Sequence, residues 1–329
     1  LNKLDDAIEE NFDMLVEAES RDNGKPLSLA AKVDIPRASA NLRFFAGAIL
    51  HDSSDVHEMD GEAINYTLRV PIGVAACISP WNLPLYLLTW KIAPALATGN
   101  TVVAKPSEIT PMTAYLLSKI CKEINFPKGV LNIIHGRGEK LGDALTTHQD
   151  VPIVSFTGGS DTGKHISKVT APYFKKLSLE LGGKNPNIIF DDCDFDNAVS
   201  TASRAAFTNQ GQICLCGSRV FVQNKIYEKF KSALVDKARK LIVGDPKNSK
   251  SHLGAVVSEE HMNKILLKIT EMNNFKVIGD QIIPEFTTPH NLIANWEIKH
   301  ITGLLMLKDE LNADIFSINA WSYMLDTYD

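Results

Sequence analysis

Two cysteines near the middle of the chain have the surroundings of a candidate nucleophile. Cys214 and Cys216 stand in FTNQGQICLCG, residues 207–217, behind small and amide-bearing residues. A cysteine attacks carbon as a thiolate, which polar donors, nearby backbone N–H groups and solvent access favour. In an extended segment both thiols would face one side, and in a helical turn they would diverge. Spacing alone therefore leaves both open, together with the commoner role of a buried structural thiol.

A carboxylate and an amide that could assist such a nucleophile follow two predicted strands. Glu180 ends the apolar stretch KLSLEL, and a carboxylate in apolar surroundings tends to have a raised pKa, which suits a general base. A salt-bridged glutamate at a domain junction is the alternative. Asn82 in SPWNLP stands where a strand gives way to a helix. Its side-chain N–H groups could polarise a carbonyl oxygen, or the residue could cap the helix.

Two further segments have residue types that could bind a dinucleotide. AKPSE places Lys105 and Glu108 after a strand, where they could hold ribose hydroxyls, and the carboxylate would repel a 2′-phosphate and favour NAD over NADP. FTGGSDTG, residues 156–163, is a glycine-rich strand-to-helix turn whose amides could face a pyrophosphate. Its spacing is not G-x-G-x-x-G. An ordinary polar loop and a plain tight turn are the alternatives.

Short apolar strands alternate with helices through the first half of the chain. The pattern is typical of βαβ units and of an α/β fold with a Rossmann-like parallel sheet, whose ligands bind at the carboxyl ends of the strands. We expect residues 1–182 to form one domain and residues 183–329 a second. The predicted strands are 73–79, 101–105, 130–136 and 153–159, and the helices between them are 84–99, 110–125 and a segment after 136.

Composition excludes several classes of function. The 329 residues carry a net charge of −5, and no basic patch is interleaved with aromatic residues, so we expect no nucleic-acid partner. No apolar run reaches the ~18 residues that would span a bilayer, so we expect no membrane partner. The five cysteines are odd in number and lack CxxC spacing. This indicates reduced thiols, a cytoplasmic location and no metal site.

Five motifs in order resemble the aldehyde dehydrogenase superfamily: PWNLP, ATGNTVVAKPSE, FTGGSDTG, LELGGKNP and FTNQGQICLCGSR. The resemblance runs from about residue 1 to about residue 268. It implies a parallel-sheet NAD-binding domain and an α/β catalytic domain. It also implies that Cys214 attacks an aldehyde, Asn82 holds the oxyanion and Glu180 activates water, so that a thiohemiacetal and then a thioester lead to a carboxylic acid. Cys216 becomes a structural neighbour.

The same resemblance implies NAD as cofactor and a homo-oligomer as the assembled state. In the glycine-rich turn the serine usual after Gly158 is replaced by Gly159. The cofactor contacts that the resemblance implies are Ser79, Trp81, Lys105, Glu108, Gly136, Gly158 and Gly163.

Within the superfamily, DIPRASANLRFFAG (34–47) resembles the branch that oxidises 2-aminomuconic semialdehyde in tryptophan breakdown. That substrate carries a carboxylate, which an arginine can grip through two parallel hydrogen bonds. We expect Arg37 to be this arginine. The alternative is an arginine on a helix surface.

The chain departs from the family at both ends, and we expect it to be truncated there and divergent after about residue 272. The nearest match to the family's Glu-Ile-Phe-Gly-Pro segment is ADIFSIN (313–319), in which Asp314 replaces the glutamate. We also expect the late strand that the family uses for subunit pairing to be missing. Two other functions therefore remain: a catalytically incompetent chain that binds nucleotide or a partner subunit, and a Cys214 hydrolase or acyltransferase that uses no nicotinamide.

Overall fold

The computed structural model describes residues 1–272 and the two short strands Leu305–Lys308 and Asp314–Ser317. The chain divides into two compact units. The first comprises residues 1–22, 29–158 and 162–180, and the second comprises residues 23–28, 159–161 and 181–329. The sequence places a boundary near Gly182. It does not indicate that two short segments from the first half belong with the second unit.

A five-stranded sheet forms the centre of the first unit. Its order is β5-β4-β3-β6-β7, and β3 pairs in parallel with β4 and β6, as β4 does with β5. The parallel α/β architecture expected from the sequence is therefore confirmed. The strands up to residue 181 are β1 (Val56–Met59), β2 (Ala63–Tyr66), β3 (Val74–Ile78), β4 (Thr101–Lys105), β5 (Leu131–Ile133), β6 (Ile153–Gly158) and β7 (Lys176–Leu181).

Helices connect these strands, and a π-helical turn at Ala30–Asp34 leads into the longest helix of the N-terminal part. The buried strand β3, VAACI, shows why the alternation forms: its apolar residues need cover on both faces, which the crossover helices supply. The helices up to residue 170 are α1 (Asn2–Glu10), α2 (Phe12–Asn23), α3 (Leu27–Leu29), α4 (Ile35–Ala48), α5 (Pro84–Ala97), α6 (Met112–Glu123), α7 (Gly138–Thr146) and α8 (Ser160–Thr170).

Two sequence expectations need correction at their boundaries. The predicted strand 130–136 is only three residues long in β5, because the chain after Ile133 leaves the sheet to reach the start of α7. The predicted helix 84–99 ends at Ala97, and Gly99 follows with φ +82°, a left-handed conformation typical of a residue after a helix end.

The hairpin β1–β2 lies apart from both larger sheets. Its strands pair antiparallel, Val56 opposite Tyr66, and every residue of both strands is exposed. An isolated two-stranded hairpin is marginally stable in water. The hairpin therefore carries apolar side chains, among them Ile64, that no described part of the chain covers.

The second unit contains a four-stranded sheet of order β10-β11-β9-β8, in which β8 and β9 are parallel and the other pairs are antiparallel. Apolar side chains of β8, β9, α9 and α10 form its core around the fully buried Phe230. Its elements are β8 (Pro186–Ile189), α9 (Phe195–Phe207), β9 (Arg219–Val222), α10 (Tyr227–Arg239), α11 (Glu259–Met272), β10 (Leu305–Lys308) and β11 (Asp314–Ser317). Across the part of the chain that the structure describes, no helix combines the length and apolarity needed to cross a bilayer.

Candidate functional site

The loops that follow β3 and β4 are joined at the carboxyl edge of the sheet. Ile78 is opposite Lys105 on one side and Phe156 on the other, so the ends of β3, β4 and β6 adjoin. Ser79 N donates to Lys105 O at 3.1 Å, and Thr110 Oγ1 donates to Trp81 O at 3.2 Å. Parallel strands thus bring together, on one edge, segments that are far apart in sequence.

Lys105 and Glu108 form the charged part of this edge. Lys105 is buried at the end of β4, and its Nζ donates to Glu108 Oε2 at 2.9 Å. Gly138 N, the first residue of α7, donates to Glu108 Oε1 at 3.0 Å. Burial disfavours the ionised carboxyl, but these hydrogen bonds outweigh it and hold the pKa of Glu108 below its usual value. A carboxylate therefore stands at the edge of the sheet at neutral pH.

The glycines expected at the cofactor edge have different surroundings. Gly158 ends β6, and a Cβ there would lie 2.4 Å from the ring of Phe156, so a side chain is excluded. Gly136 lies between β5 and α7, where a Cβ would meet Leu141 at 2.5 Å. Gly163 is buried inside α8 rather than in the turn before it. Of the three glycines, only Gly158 therefore lies at the end of a strand, and Gly136 lies in the loop after one.

Ser79 and Trp81 are both buried. Ser79 Oγ has no hydrogen-bond partner among the described residues. A buried hydroxyl without a partner is costly, and a bound polar ligand could satisfy it. With the carboxylate of Glu108 and the ammonium group of Lys105, the donor and acceptor set fits the hydroxyls of a nucleotide.

Asn82 does not cap the helix that follows it. The cap residue of α5 is Leu83, no side chain makes a capping hydrogen bond, and Pro84 begins the helix. Asn82 is 2% exposed, so it is an amide buried at the carboxyl edge of the sheet. Of its two expected roles, helix capping is therefore wrong.

Glu180 is exposed, whereas the sequence predicts apolar surroundings for it. β7 is the last strand of its sheet, and its side chains alternate between exposed and half-buried, with Glu180 on the exposed face. The apolar enclosure expected for this carboxylate is therefore absent. Residues two apart in a strand share a face, which places Glu180 on the same side as the exposed Ser178 and Lys176.

A lysine that the sequence motifs do not single out is buried near Glu180. Lys91 of α5 is 4% exposed, and its Nζ donates to Ser155 Oγ at 3.1 Å. Burial lowers the pKa of Lys91 to about 8. The electrostatic effects of Cys77 and Glu180 act in the opposite direction and raise this pKa, but they are smaller. The sequence does contain an indication of this burial. Lys91 stands in the otherwise apolar TWKIAPALA, and a helix that is apolar nearly all round is buried on every face.

The structure distinguishes the two cysteines of the opening segment. Residues 213–216 form a turn in which Cys216 N donates to Ile213 O at 3.0 Å. Cys216 is buried, its Sγ donates to Gly211 O at 3.2 Å, and burial raises the pKa of its thiol to about 11. Cys214 is half-buried, beside Leu215, which is 80% exposed. Cys214 is therefore the more accessible thiol. It belongs to the second unit, whereas Asn82 and Glu180 belong to the first.

Arg37 lies on the exposed side of α4, over two aromatic rings of α5. Its guanidinium carbon is 5.7 Å from the centre of the Tyr86 ring and 5.6 Å from that of Trp90. Asn41, one turn further along, donates to Tyr86 O at 3.1 Å and so ties the two helices together. The arginine is therefore held by cation–π contacts on the helix that begins two residues after Asn82. These two aromatic partners were not expected from the sequence pattern.

Asp314, the residue closest to the family's late glutamate, begins β11. Its backbone is paired with Val222 of β9. Ser317 ends the same strand, and Ile318 lies outside the described residues.

Comparisons with known proteins identify the family of this chain. The model of the aldehyde dehydrogenase family matches residues 1–279. The chain is 52% identical over 271 residues to 2-aminomuconic semialdehyde dehydrogenase of Danio rerio, covering 82% of this chain and 56% of that protein. It is 50% identical to the Homo sapiens protein of the same name, covering 80% of this chain and 55% of that protein.

Solved structures give the same result. A crystal structure of betaine aldehyde dehydrogenase from Staphylococcus aureus in complex with NAD+ superposes with a TM-score of 0.82 at 40% identity, covering 85% of this chain and 55% of that one. The chain thus spans little more than half the length of the relatives it matches. Ordered motifs, parallel sheet and relatives lead to one conclusion: the chain belongs to the aldehyde dehydrogenase family.

Proposed function

We propose that this chain is, or is part of, an NAD-dependent dehydrogenase that oxidises an aldehyde to a carboxylic acid with Cys214 as nucleophile. The observation that carries the proposal is the contrast between the two thiols: Cys216 is buried and bonded to Gly211 O, whereas Cys214 is accessible in a tight turn. A nucleophile needs access, and a structural thiol needs burial. Family membership supplies the reaction class.

The proposed chemistry begins at Cys214 Sγ. The thiolate attacks the aldehyde carbon, and the carbonyl oxygen becomes an oxyanion that the side-chain N–H of Asn82 and the backbone N–H of Cys214 stabilise. NAD, when bound, accepts the hydride that converts the resulting thiohemiacetal into a thioester. Glu180 then removes a proton from water, which attacks the thioester carbon and releases the acid and the Cys214 thiol.

For the cofactor, we propose that residues 1–182 form the NAD-binding domain and residues 183–329 the domain that carries the nucleophile. Lys105 and Glu108 would hold the hydroxyls of the adenosine ribose. The lowered pKa of Glu108 supports this, because an ionised carboxylate accepts hydrogen bonds from a diol and repels a 2′-phosphate. The further contacts, in the same proposal, are Ser79, Trp81, Gly136, Gly158 and Gly163.

For the substrate, we propose a carboxylated semialdehyde such as 2-aminomuconic semialdehyde. The relatives from Danio rerio and Homo sapiens are named for that activity. Arg37 is the proposed partner of the carboxylate. Its cation–π contacts with Tyr86 and Trp90 support this proposal, because they restrict where the guanidinium group lies, and that group can bind a carboxylate through two hydrogen bonds.

We further propose a cytoplasmic homo-oligomer. None of the five cysteines, all of them among the described residues, forms a disulfide, as is usual in a reducing compartment. The exposed hairpin β1–β2, with apolar Val56 and Ile64 uncovered, would be stabilised by pairing with a second subunit.

A second candidate function is a chain that binds nucleotide or a partner subunit without turnover. The observation in its favour is that the chain matches only 56% of the Danio rerio relative's length. The test is NADH formation by the purified chain with NAD and an aldehyde panel, beside NAD binding measured by calorimetry. Turnover supports the dehydrogenase, whereas NAD binding without turnover supports the second candidate. Ester hydrolysis that depends on Cys214, with no NAD binding and no NADH formation, would contradict both and support a Cys214 hydrolase or acyltransferase.

A further inference from the structure

Three consecutive residues before Cys214 adopt a left-handed backbone. Asn209 has φ +55°, Gln210 has φ +57° and Gly211 has φ +75°. Each non-glycine residue in this region costs roughly 1–2 kcal/mol. Such a conformation persists only where the surrounding structure imposes it. The contacts around this segment are therefore the ones that fix the path of the chain into Cys214.

On one side, two glutamine side chains tie the segment to residues 255–257. Gln210 Nε2 donates to Ala255 O at 2.6 Å, and Gln212 Oε1 accepts from Val257 N at 3.2 Å. Gln212 Nε2 also donates to Asn209 O at 3.2 Å. Both glutamines are buried, so these amides are shielded from competing water. The segment is therefore anchored as far as Gln212, two residues short of the thiol.

On the other side, one asparagine binds the turn that contains the thiol. Asn185 Nδ2 donates to Cys214 O at 2.6 Å and to Cys216 O at 3.0 Å. The two protons of one amide group thus serve the two carbonyls on either side of Leu215. Asn185 is itself fixed, because it immediately precedes β8 and its own carbonyl accepts from Arg219 N, the first residue of β9, at 3.1 Å.

We propose that Asn185 is a positioning residue for Cys214. By holding the carbonyls of Cys214 and Cys216, it fixes the 214–215 and 216–217 peptide planes, and so the backbone from which the Cys214 side chain projects. A neutral amide suits the task, since it supplies two donors at once, whereas a carboxylate would repel both carbonyl oxygens. The inference rests on the proposed function, in which Cys214 is the nucleophile.

The test compares Asn185→Ala and Asn185→Asp with Asn132→Ala. Asn132 is the matched control, because its Nδ2 also donates to two backbone carbonyls, Gly129 O at 2.8 Å and Val102 O at 3.3 Å, but on β5 of the first unit. Two readouts are taken on each folded variant. The first is the rate of Cys214 alkylation by iodoacetamide across pH, followed by mass spectrometry. The second is kcat and the KM for NAD.

We expect both Asn185 variants to lose about 100-fold in kcat, because a misplacement of ~1 Å has roughly that effect. We expect the KM for NAD to stay unchanged and the alkylation profile of Cys214 to move to higher pH. Asn132→Ala should match the parent in both readouts. If an Asn185 variant does not fold, Asn185→Ser, which retains one donor, takes its place with a smaller loss of kcat and the same unchanged KM for NAD.

Unchanged kcat and an unchanged alkylation profile in folded Asn185 variants would overturn the inference. A parallel fall in kcat and in NAD affinity would also overturn it, since that would indicate general loosening of the structure. Failure of the proposed function looks different: the parent chain itself would show no rapid alkylation of Cys214 and no NADH formation.

Discussion

Lys105 Nζ donates to Glu108 Oε2 at 2.9 Å, while the other oxygen of the same carboxylate accepts from Gly138 N at 3.0 Å. Glu108 thereby joins the end of β4 to the first residue of α7. Both contacts favour the ionised carboxylate. A fixed negative charge therefore stands where we propose that the adenosine ribose binds.

Glu108→Gln should weaken NAD binding. The amide keeps an oxygen for Gly138 N but loses the charge that pairs with Lys105 and strengthens hydrogen bonds from ribose. We expect the KM for NAD to rise about tenfold, equivalent to about 1.4 kcal/mol, and the preference for NAD over NADP to narrow, with kcat unchanged. Steady-state kinetics with both cofactors measures this. Glu123→Gln, at the exposed end of α6, is the control, and an unaltered KM for NAD in Glu108→Gln would disprove the assignment.

Arg37→Ala should discriminate between aldehydes. Without the guanidinium group, a carboxylated semialdehyde loses a charge-assisted partner worth about 1.5–3 kcal/mol, so kcat/KM for it should fall by about 10- to 100-fold. An uncharged aliphatic aldehyde serves as the internal control and should be oxidised as before. Arg37→Lys should recover only part of the loss, because lysine keeps the positive charge but lacks the planar group that binds a carboxylate through two hydrogen bonds. Equal effects on both aldehydes would rule out a carboxylate contact.

Lys91 should make stability depend on pH. Its pKa is lowered to about 8 in the folded protein, from an ordinary value of 10.5. Below pH 8 the folded protein buries a charged lysine, at a cost on the order of 3 kcal/mol. Between pH 8 and pH 10.5 the unfolded chain binds more protons than the folded one, so this lysine's contribution to stability improves as the pH rises.

Lys91→Met should therefore unfold at higher urea concentration than the parent at neutral pH, and the difference should shrink as the pH approaches 10.5. Parallel urea titrations at several pH values measure it. The exposed Lys176→Met is the control, and its difference from the parent should not vary with pH. A constant difference for Lys91→Met would show that the burial of its charge does not affect stability.

Gly254→Ala should destabilise the second unit. A Cβ at this position would lie 1.8 Å from Gly24 O. Because this is a backbone atom, no change of side-chain rotamer can relieve the clash. Overpacking of this kind costs typically about 1–3 kcal/mol. Gly142→Ala is the matched control: its Cβ would meet nothing within 4 Å, and it lies inside α7, where alanine is favoured over glycine by about 1 kcal/mol. Thermal unfolding should show a lower Tm for Gly254→Ala and an equal or higher Tm for Gly142→Ala.

The strands and helices around β3, β4 and β6 were predictable because the apolar runs and the proline and glycine residues that bound them indicate the same elements. VAACI is short, apolar and followed by Pro84 at a helix start, and TVVAK is preceded by Gly99. Parallel sheets bury such strands on both faces. The positions of Lys105 and Glu108 at a strand end follow from the same pattern.

Features that depend on partners distant in sequence were not predictable. Glu180 is exposed because β7 is the edge strand of its sheet. The order of strands in a sheet cannot be deduced from the hydrophobic pattern of each strand. The difference between Cys214 and Cys216 arises from a turn that buries one thiol against Gly211. Asn185 donates hydrogen bonds to the carbonyls of Cys214 and Cys216, which follow it in the sequence by 29 and 31 positions. Contacts over such distances become visible only in the folded chain.

The most direct test of the account is NADH formation by the purified 329-residue chain, with NAD and a carboxylated semialdehyde, in Cys214→Ala beside Cys216→Ala. We expect turnover by the parent, none by Cys214→Ala, and retained turnover by Cys216→Ala when it is folded. Equal turnover by Cys214→Ala and the parent, or loss only in Cys216→Ala, would contradict it.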